Sequence, residues 1–403
     1  MHRGFSLKAF AAGVLTIAAT LSSNSTLAVE PANIQAGPLY IVPTLDVKTG
    51  YVDNLFRSRR DEKSTWTSEV TPKMQAWLQS GVNTYSLAYE VVDYHYENSG
   101  RDNYTDQQVN LDIHHEFNAK HEIDLFGEYY DGHEKRGTGL TDGFGNLIDA
   151  PVEYVRETYG GTYTYGNNSS RGRLRLEAKS ADFDFQNFRN FTRFRDREQD
   201  ILSGTFFWKV ASRTDALVQV RAIDNEYDRA NPFDSAGSFD SEEYNYLVGV
   251  SWEATAKTRG SIKIGAYDRE YDSSARKDDD GFQWEVDLTY LPRTYSSIEF
   301  ETRRYSQETN GLGDSINTQE YELAWDHNWS GRSATKISVL TGTEDYSGIA
   351  RKDDRFDVEA IYSYSAQRWL DLGAGFRRED RDSDDARFDY KRNVFFIEAN
   401  VSL

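Results

Sequence analysis

Few residues in this sequence have types and spacings that could do chemistry, and none completes a known motif. Gly137–Gly145 resembles a phosphate-binding loop, but no Lys-Ser or Lys-Thr pair ends it and no helix is expected after it. Asp278–Gly281 and Asp382–Asp385 resemble fragments of a calcium loop, but neither shows the full pattern that closes on Glu. We interpret the first as an external or in-folded loop and the others as hydrated loop tips.

The cysteine and histidine content also argues against a catalytic centre. The sequence has no Cys, which excludes disulfides, thiolate nucleophiles and Cys-based metal sites. His114 and His115 are adjacent, so on a strand they would face opposite sides and could not share a metal ion. Neither Gly-x-Ser-x-Gly nor His-Glu-x-x-His occurs. We therefore predict no catalytic residues, no metal site and no cofactor, and a hydrolase built from distant strands is the alternative left open.

The charge and aromatic content narrow the classes of protein further. The 403 residues carry a net charge of −20, which would repel phosphate backbones, so no nucleic-acid partner is expected. Aromatic residues make up 14% of the chain, whereas disordered chains are poor in them. The chain is therefore expected to fold.

The N-terminus has the features of a secretory signal peptide. Arg3 and Lys8 precede the apolar run Ala9–Leu21, and small residues follow up to Ala28. A membrane-spanning helix would need about 20 apolar residues, and this run is shorter. We predict a signal peptide at 1–28, a short periplasmic segment at 29–37 and one domain at 38–403.

That domain alternates apolar and polar residues with the period of a β-strand. In Val109–Phe117, for example, Val109, Leu111 and Ile113 alternate with Asn110, Asp112 and His114. Short separators such as Ala119-Lys120 alternate with long polar ones such as 132–151, as in an antiparallel meander whose two rims differ. We predict an all-β fold: a single antiparallel up-and-down transmembrane β-barrel of about 18 strands, with short periplasmic turns and longer extracellular loops.

A water-soluble sandwich would also alternate, so the direction of the two faces has to be inferred. Aromatic residues flank the strands, as at Tyr159, Tyr163 and Trp325, which suits the interfacial girdles of a membrane barrel. The polar face is dense in charges, as expected for a hydrated lumen. Strand parity predicts that the lumen, and any substrate path, is lined by Asp112, Glu116, Asp124, Glu128, Arg173, Arg175, Glu177, Lys179, Arg221, Glu285, Asp287, Glu299, Glu301, Arg303, Asp357, Glu359, Asp371 and Arg377.

The opening strands resemble a known family. Val42–Phe56, with its Asp-Asn-Leu-Phe end at 53–56, is similar to the first strand of the putative beta-barrel porin type 2 family. Val70-Thr71-Pro72 and Tyr85–Tyr89 are also similar to that family. The likeness of layout covers nearly the whole chain after the signal peptide, and the specific motifs lie within about residues 42–130.

This resemblance implies an outer-membrane location in a Gram-negative bacterium and a role in exporting an exopolysaccharide or a capsular or biofilm polysaccharide. The partners that the resemblance implies are a polysaccharide chain and periplasmic export components, and the barrel would not be an enzyme. We also expect outer-membrane lipid and lipopolysaccharide around the barrel, and a monomer. A general or substrate-specific diffusion porin for small solutes is the alternative, and a barrel plugged by its own loops is a third hypothesis.

Overall fold

The computed structural model describes residues 34–253 and 257–402, in which strands are the predominant element. Three short 3₁₀ turns lie in loops, at Gly100–Asp102, Gly139–Thr141 and Thr192–Phe194. The strands are β1 (Ile34–Ala36), β2 (Leu39–Val52), β3 (Thr65–Ser80), β4 (Asn83–Tyr96), β5 (Tyr104–Asn118), β6 (His121–Glu134), β7 (Val152–Tyr165), β8 (Gly172–Phe185), β9 (Arg197–Ala211), β10 (Thr214–Tyr227), β11 (Ser241–Trp252), β12 (Thr258–Tyr271), β13 (Asp279–Arg293), β14 (Ser296–Glu308), β15 (Ser315–Asn328), β16 (Ser333–Tyr346), β17 (Arg351–Gln367), β18 (Leu370–Ser383) and β19 (Tyr390–Ser402).

Strands β2 to β19 form a closed antiparallel barrel in which each strand pairs with its neighbours in the sequence. The ring closes between β19 and β2, with Val394 opposite Val52 and Ser402 opposite Thr44. A closed ring leaves no edge strand with unpaired backbone groups, as a bilayer requires. The predicted all-β barrel of about 18 strands is therefore confirmed.

The two rims of the barrel differ as expected. Tight connections such as Gly81-Val82 and Ala119-Lys120 lie at the same end as the start of β2 and the end of β19, which we define as the periplasmic rim. Long connections such as 135–151, 186–196 and 228–240 lie at the other end, the extracellular rim. Of the described residues, none belongs to a helix with the length and hydropathy needed to cross a membrane.

The outer face of the barrel is apolar in its middle and periplasmic parts, whereas toward the extracellular rim acidic side chains such as Glu198 and Asp200 are exposed. Along β9, Leu202, Phe206 and Trp208 are exposed, whereas Ser203, Thr205 and Phe207 between them are buried on the inner face. The same alternation on other strands places an exposed aliphatic band between rows of aromatic side chains. Exposed rings near the periplasmic rim include Trp77, Tyr165, Trp208, Tyr290, Trp329, Tyr364 and Trp369.

Two parts of the chain differ from the sequence-based expectation or lie beyond it. Strand β1 is an extra element outside the barrel, where Ile34–Ala36 folds back to pair with Leu39–Ile41. Three residues carry too little alternation for a strand to be predicted from periodicity. The expected signal peptide, 1–28, and the segment 29–33 lie outside the described residues.

The direction of the faces can be tested with a matched pair of substitutions on β5. Leu111 is 44% exposed on the outer face, and Asn110 beside it faces inward, opposite Glu128 on β6. We expect Leu111→Arg to lower the free energy of unfolding by about 2–4 kcal/mol, since a cation would enter the lipid. Asn110→Arg is expected to change it little, because the new cation gains a carboxylate neighbour. Urea unfolding in lipid vesicles measures both, and an equal loss for the two variants would contradict this orientation.

Candidate functional site: the barrel interior and its extracellular loops

The register places all eighteen residues predicted to line the lumen on the face opposite the apolar rows. Glu285, for example, contacts Arg221 of β10 (3.2 Å) and Lys263 of β12, while its chain neighbours Trp284 and Val286 face outward. Strand pairing puts the other members on the same face, because directly opposed residues share a side of the sheet. The interior therefore carries these eighteen side chains together with their partners.

Many of the inward charges are neutralised by a neighbouring strand of the same wall. Arg377 of β18 pairs with Glu359 of β17, and Arg303 of β14 lies 3.3 Å from Glu320 of β15. Asp357 lies 3.3 Å from Arg355, two residues before it. These charges are thus satisfied locally, through short contacts between neighbours.

The two adjacent histidines face opposite sides of the barrel wall, as their positions on a strand dictate. His114 Nδ1 lies 2.6 Å from Asp124 on the inner face, whereas His115 Nδ1 lies 3.1 Å from the Tyr85 hydroxyl on the outer face. Within 34–253 and 257–402, no three His, Asp or Glu side chains are placed to share a metal ion.

The β6–β7 loop, residues 135–151, crosses the extracellular end of the barrel. The Asp142 carboxylate accepts hydrogen bonds from Arg351 (2.8 Å) at the start of β17 and from Arg381 near the end of β18. These strands belong to the far wall, so the loop spans the interior to reach them. Asp142 is only 3% exposed and Arg351 likewise 3%, so this contact, which we call the latch, is shielded from water.

Further contacts fix the near end of the same loop. Arg136 binds Asp102 through two nitrogens (2.5 and 2.6 Å) and lies over the Phe56 ring at 4.0 Å. Gly137 has φ +80°, and a Cβ there would lie 1.9 Å from the Phe56 carbonyl oxygen. The glycine-rich sequence is therefore needed because the backbone passes so close to the β2–β3 loop.

The other long loops interlock in a similar way. Arg276 of the β12–β13 loop binds Asp234 of the β10–β11 loop (2.6 Å) and Asp314 of the β14–β15 loop. Below them, Arg269 bridges Glu243 (2.7 Å) and Glu308 (2.8 Å). Together these contacts fill the extracellular end with buried ion pairs.

The interior therefore has two zones of different character. Near the extracellular rim, charges such as Arg269, Asp353 and Arg351 are almost fully buried in pairs. Toward the periplasmic rim, inward charges such as Asp112 and Glu116 keep contact with solvent. Charges are therefore buried in pairs at the extracellular end and reach solvent toward the periplasmic end.

An aromatic strip lies on the inner wall beneath the β6–β7 loop. Tyr94 and Tyr104 stack at 5.1 Å between ring centroids, and Tyr154 lies between Tyr130 (5.6 Å) and Phe185 (5.8 Å). The ammonium group of Lys135 lies 5.0 Å from the centre of the Tyr94 ring. The docked loop therefore covers at least part of this strip.

Sequence reasoning missed the latch. Gly137–Gly145 was expected to be either external or in-folded, and Arg351 and Arg381 were not singled out. The partners of the latch are more than 200 residues apart in the chain, and strand periodicity holds no information on contacts made by loops. An isolated Asp within a glycine-rich loop, with Arg residues at two distant strand ends, was the only available signal.

Breaking the latch should open the extracellular end. In Asp142→Asn the buried guanidinium groups of Arg351 and Arg381 keep only the Asp353 carboxylate as counter-charge, at 2.5 and 3.6 Å, and breaking a buried pair costs up to about 3–5 kcal/mol. We expect larger or more frequent single-channel currents in planar bilayers. Asp149→Asn is the matched control, since Asp149 lies in the same loop with its side chain 86% exposed. Equal currents in the two variants would show that the latch does not hold the loop.

Docking of the same loop should depend on pH. Burial lowers the pKa of Lys135 to about 8 from its usual 10.5. Below about pH 8 the ammonium group is charged in both docked and free loops, so its burial opposes docking in full. Between pH 8 and 10.5 the docked loop binds fewer protons than the free one, so docking strengthens as pH rises. The open probability of the channel should therefore fall as the pH rises from 8 to 10.5. Lys135→Met should abolish the share of this pH dependence that is due to Lys135.

Comparison with known proteins places this architecture. The crystal structure of OccK9 (OpdG) from Pseudomonas aeruginosa matches with a TM-score of 0.50 and 12% identity, covering 90% of this chain and 98% of that one. OpdK from the same organism gives 0.47 and 10%, covering 90% and 99%. The siderophore receptor PirA, also from Pseudomonas aeruginosa, gives 0.46 and 9%, covering 90% and 80%. At sequence identities this low, the similarity is one of fold alone. No curated protein matches the sequence.

The family comparison covers almost the whole chain. A model described as putative beta-barrel porin 2 matches residues 28–403, which include every strand of the barrel. This agrees with the resemblance carried by the opening strands, and family and fold together indicate a porin-like barrel of the outer membrane. The chain therefore belongs to the putative beta-barrel porin 2 family.

Proposed function

We propose that this protein is a gated diffusion channel for small hydrophilic solutes in the outer membrane of a Gram-negative bacterium. The observation that carries the proposal is the contrast between the two ends of one interior. Inward charges near the periplasmic rim keep contact with solvent, whereas the β6–β7 loop is latched across the extracellular end through Asp142, Arg351 and Arg381. A charged, hydrated wall suits polar solutes, and a loop held by ion pairs can be displaced without unfolding the barrel.

The same contacts favour small solutes over a polymer. The latch and the cluster around Arg276 join loops from different parts of the rim. A polysaccharide chain would have to displace several buried ion pairs at once, whereas a small solute needs only local movement of one loop. Catalysis has no support from the arrangement, so we propose a channel and not an enzyme.

Export of an exopolysaccharide or a capsular polysaccharide is the second proposal. It is favoured by the aromatic strip, because the faces of rings such as Tyr94, Tyr104 and Tyr154 can stack on sugars. The strip lies under the β6–β7 loop, as the contact of Lys135 with Tyr94 and Tyr104 indicates. Export would therefore require the loop to leave the strip, with periplasmic export components as partners.

The surroundings of the barrel follow from its outer face. The exposed aliphatic band and its aromatic rows suit outer-membrane lipid, with lipopolysaccharide around the extracellular half. We propose a monomer, since the barrel closes on itself through β19 and β2 and needs no second chain to complete its wall.

Reconstitution tests the channel proposal. Liposomes that contain the protein should swell in solutions of small sugars and not in solutions of long oligosaccharides, and Asp142→Asn should swell faster. If neither protein conducts ions nor passes sugars, the diffusion proposal fails. A gene deletion that abolishes surface polysaccharide, combined with absent sugar uptake, would support export in its place.

A further inference from the structure

Most inward cations have a carboxylate partner in the structure, but two on β8 do not. Arg221, Arg269, Arg303 and Arg377 each lie within 3.5 Å of an acidic oxygen. Arg175 and Lys179 form no ion pair with any residue in 34–253 or 257–402. The periplasmic half of β8 is therefore a place where positive charge faces the lumen without full compensation.

The side chains around Arg175 form a defined cluster. The Phe207 ring of β9 lies 4.4 Å from the guanidinium carbon of Arg173 and 5.6 Å from that of Arg175. Register places Arg175 directly between Thr164 of β7 and Thr205 of β9, both buried. The guanidinium group of Arg175 is restricted to a few orientations, because it packs on Phe207 and lies between two threonines.

Charge balance in this cluster is incomplete. Arg173 has one acidic partner, Asp215, at 3.5 Å, and an amide partner, Asn168, in the β7–β8 turn. Among the described residues, Asp215 is the one carboxylate in ion-pair contact with Arg173, and Glu122 and Glu253 act on Arg173 only from farther away. The Nε atoms of both Arg173 and Arg175 are buried without a hydrogen-bond partner, and unsatisfied buried donors on charged groups are costly.

We infer that Arg173 and Arg175, stacked on Phe207 near the periplasmic rim, form a binding site for small organic carboxylates. A carboxylate would supply the missing negative charge and accept paired hydrogen bonds from the planar guanidinium group of Arg175. The hydroxyls of Thr164 and Thr205 lie at the same level and can bond a ligand hydroxyl.

The position of the cluster limits the ligand to one anionic group. Glu177 follows Arg175 on the same inward face, so the next level along the strand carries a negative charge. Lys179 lies a further two residues on, about 13 Å from Arg175 along the strand. A sugar acid, with one carboxylate and several hydroxyls, fits this order of charges. The inference rests on the proposed function, since it names the class of solute that the channel would bind.

Direct binding tests the site without requiring conduction. We expect gluconate to bind the folded, detergent-solubilised barrel in calorimetry at pH 7, and glucose, its uncharged match, to bind at least about tenfold more weakly. Arg175→Gln should weaken gluconate binding by about tenfold or more, and Arg175→Lys by less, because the charge remains while the paired hydrogen bonds are lost. Thr205→Glu, which places a carboxylate opposite Arg175, should abolish gluconate binding while the barrel stays folded.

Lys73→Gln is the matched control. It also removes one inward positive charge, from β3, where Lys73 lies 3.4 Å from Glu90, and it should leave gluconate affinity within about twofold. Equal binding of gluconate and glucose, or an equal effect of Lys73→Gln and Arg175→Gln, would overturn the site. Gluconate binding by a barrel that conducts nothing would instead refute the channel while leaving the site intact.

Discussion

Backbone hydrogen bonding in lipid is the constraint on which this structure depends. A bilayer offers no water to unpaired amide and carbonyl groups, so a sheet can cross it only if the sheet has no edge. The pairing of β19 with β2 removes the last edge and fixes eighteen strands in one ring. Once the ring is closed, alternate side chains must face lipid or lumen. Leu202 and Ser203 on β9 lie on opposite sides for this reason alone.

Inside the ring, charge is accommodated in two ways. Near the extracellular rim, loops bring acids and bases into direct contact, as in the latch and the bridge from Arg269 to Glu243 and Glu308. Near the periplasmic rim, water and neighbouring strands share the task, and the cluster around Arg175 is left partly uncompensated. The first arrangement can exclude solutes and the second can attract them. The transport proposal therefore rests on the paired charges at the extracellular rim, and the binding proposal on the unpaired charge of Arg175.

Much of the fold could be predicted from the sequence, and the site only in part. Alternation in segments such as Val109–Phe117 is a local property, so it reveals strands, their faces and their number. It also assigns Glu285 and Arg221 to one face, because parity survives small errors in strand boundaries. It cannot pair Asp142 with Arg351, since that contact depends on the path of a loop across open space. It cannot reveal that Arg175 lacks a partner, because that depends on which of several acids each cation reaches.

The pairing of β19 with β2 has a consequence for how the barrel assembles. Asp53 is bonded to Asn393, and Asp46 to Asn400, residues 340 and 354 positions apart. Consecutive hairpins can form from local contacts, but a growing sheet keeps two unpaired edge strands until these distant partners meet. Such long-range closure is slow, and until it occurs the edge strands of the incomplete sheet can pair with strands of other chains. Assembly of this barrel therefore requires a factor that protects both edge strands until β19 pairs with β2.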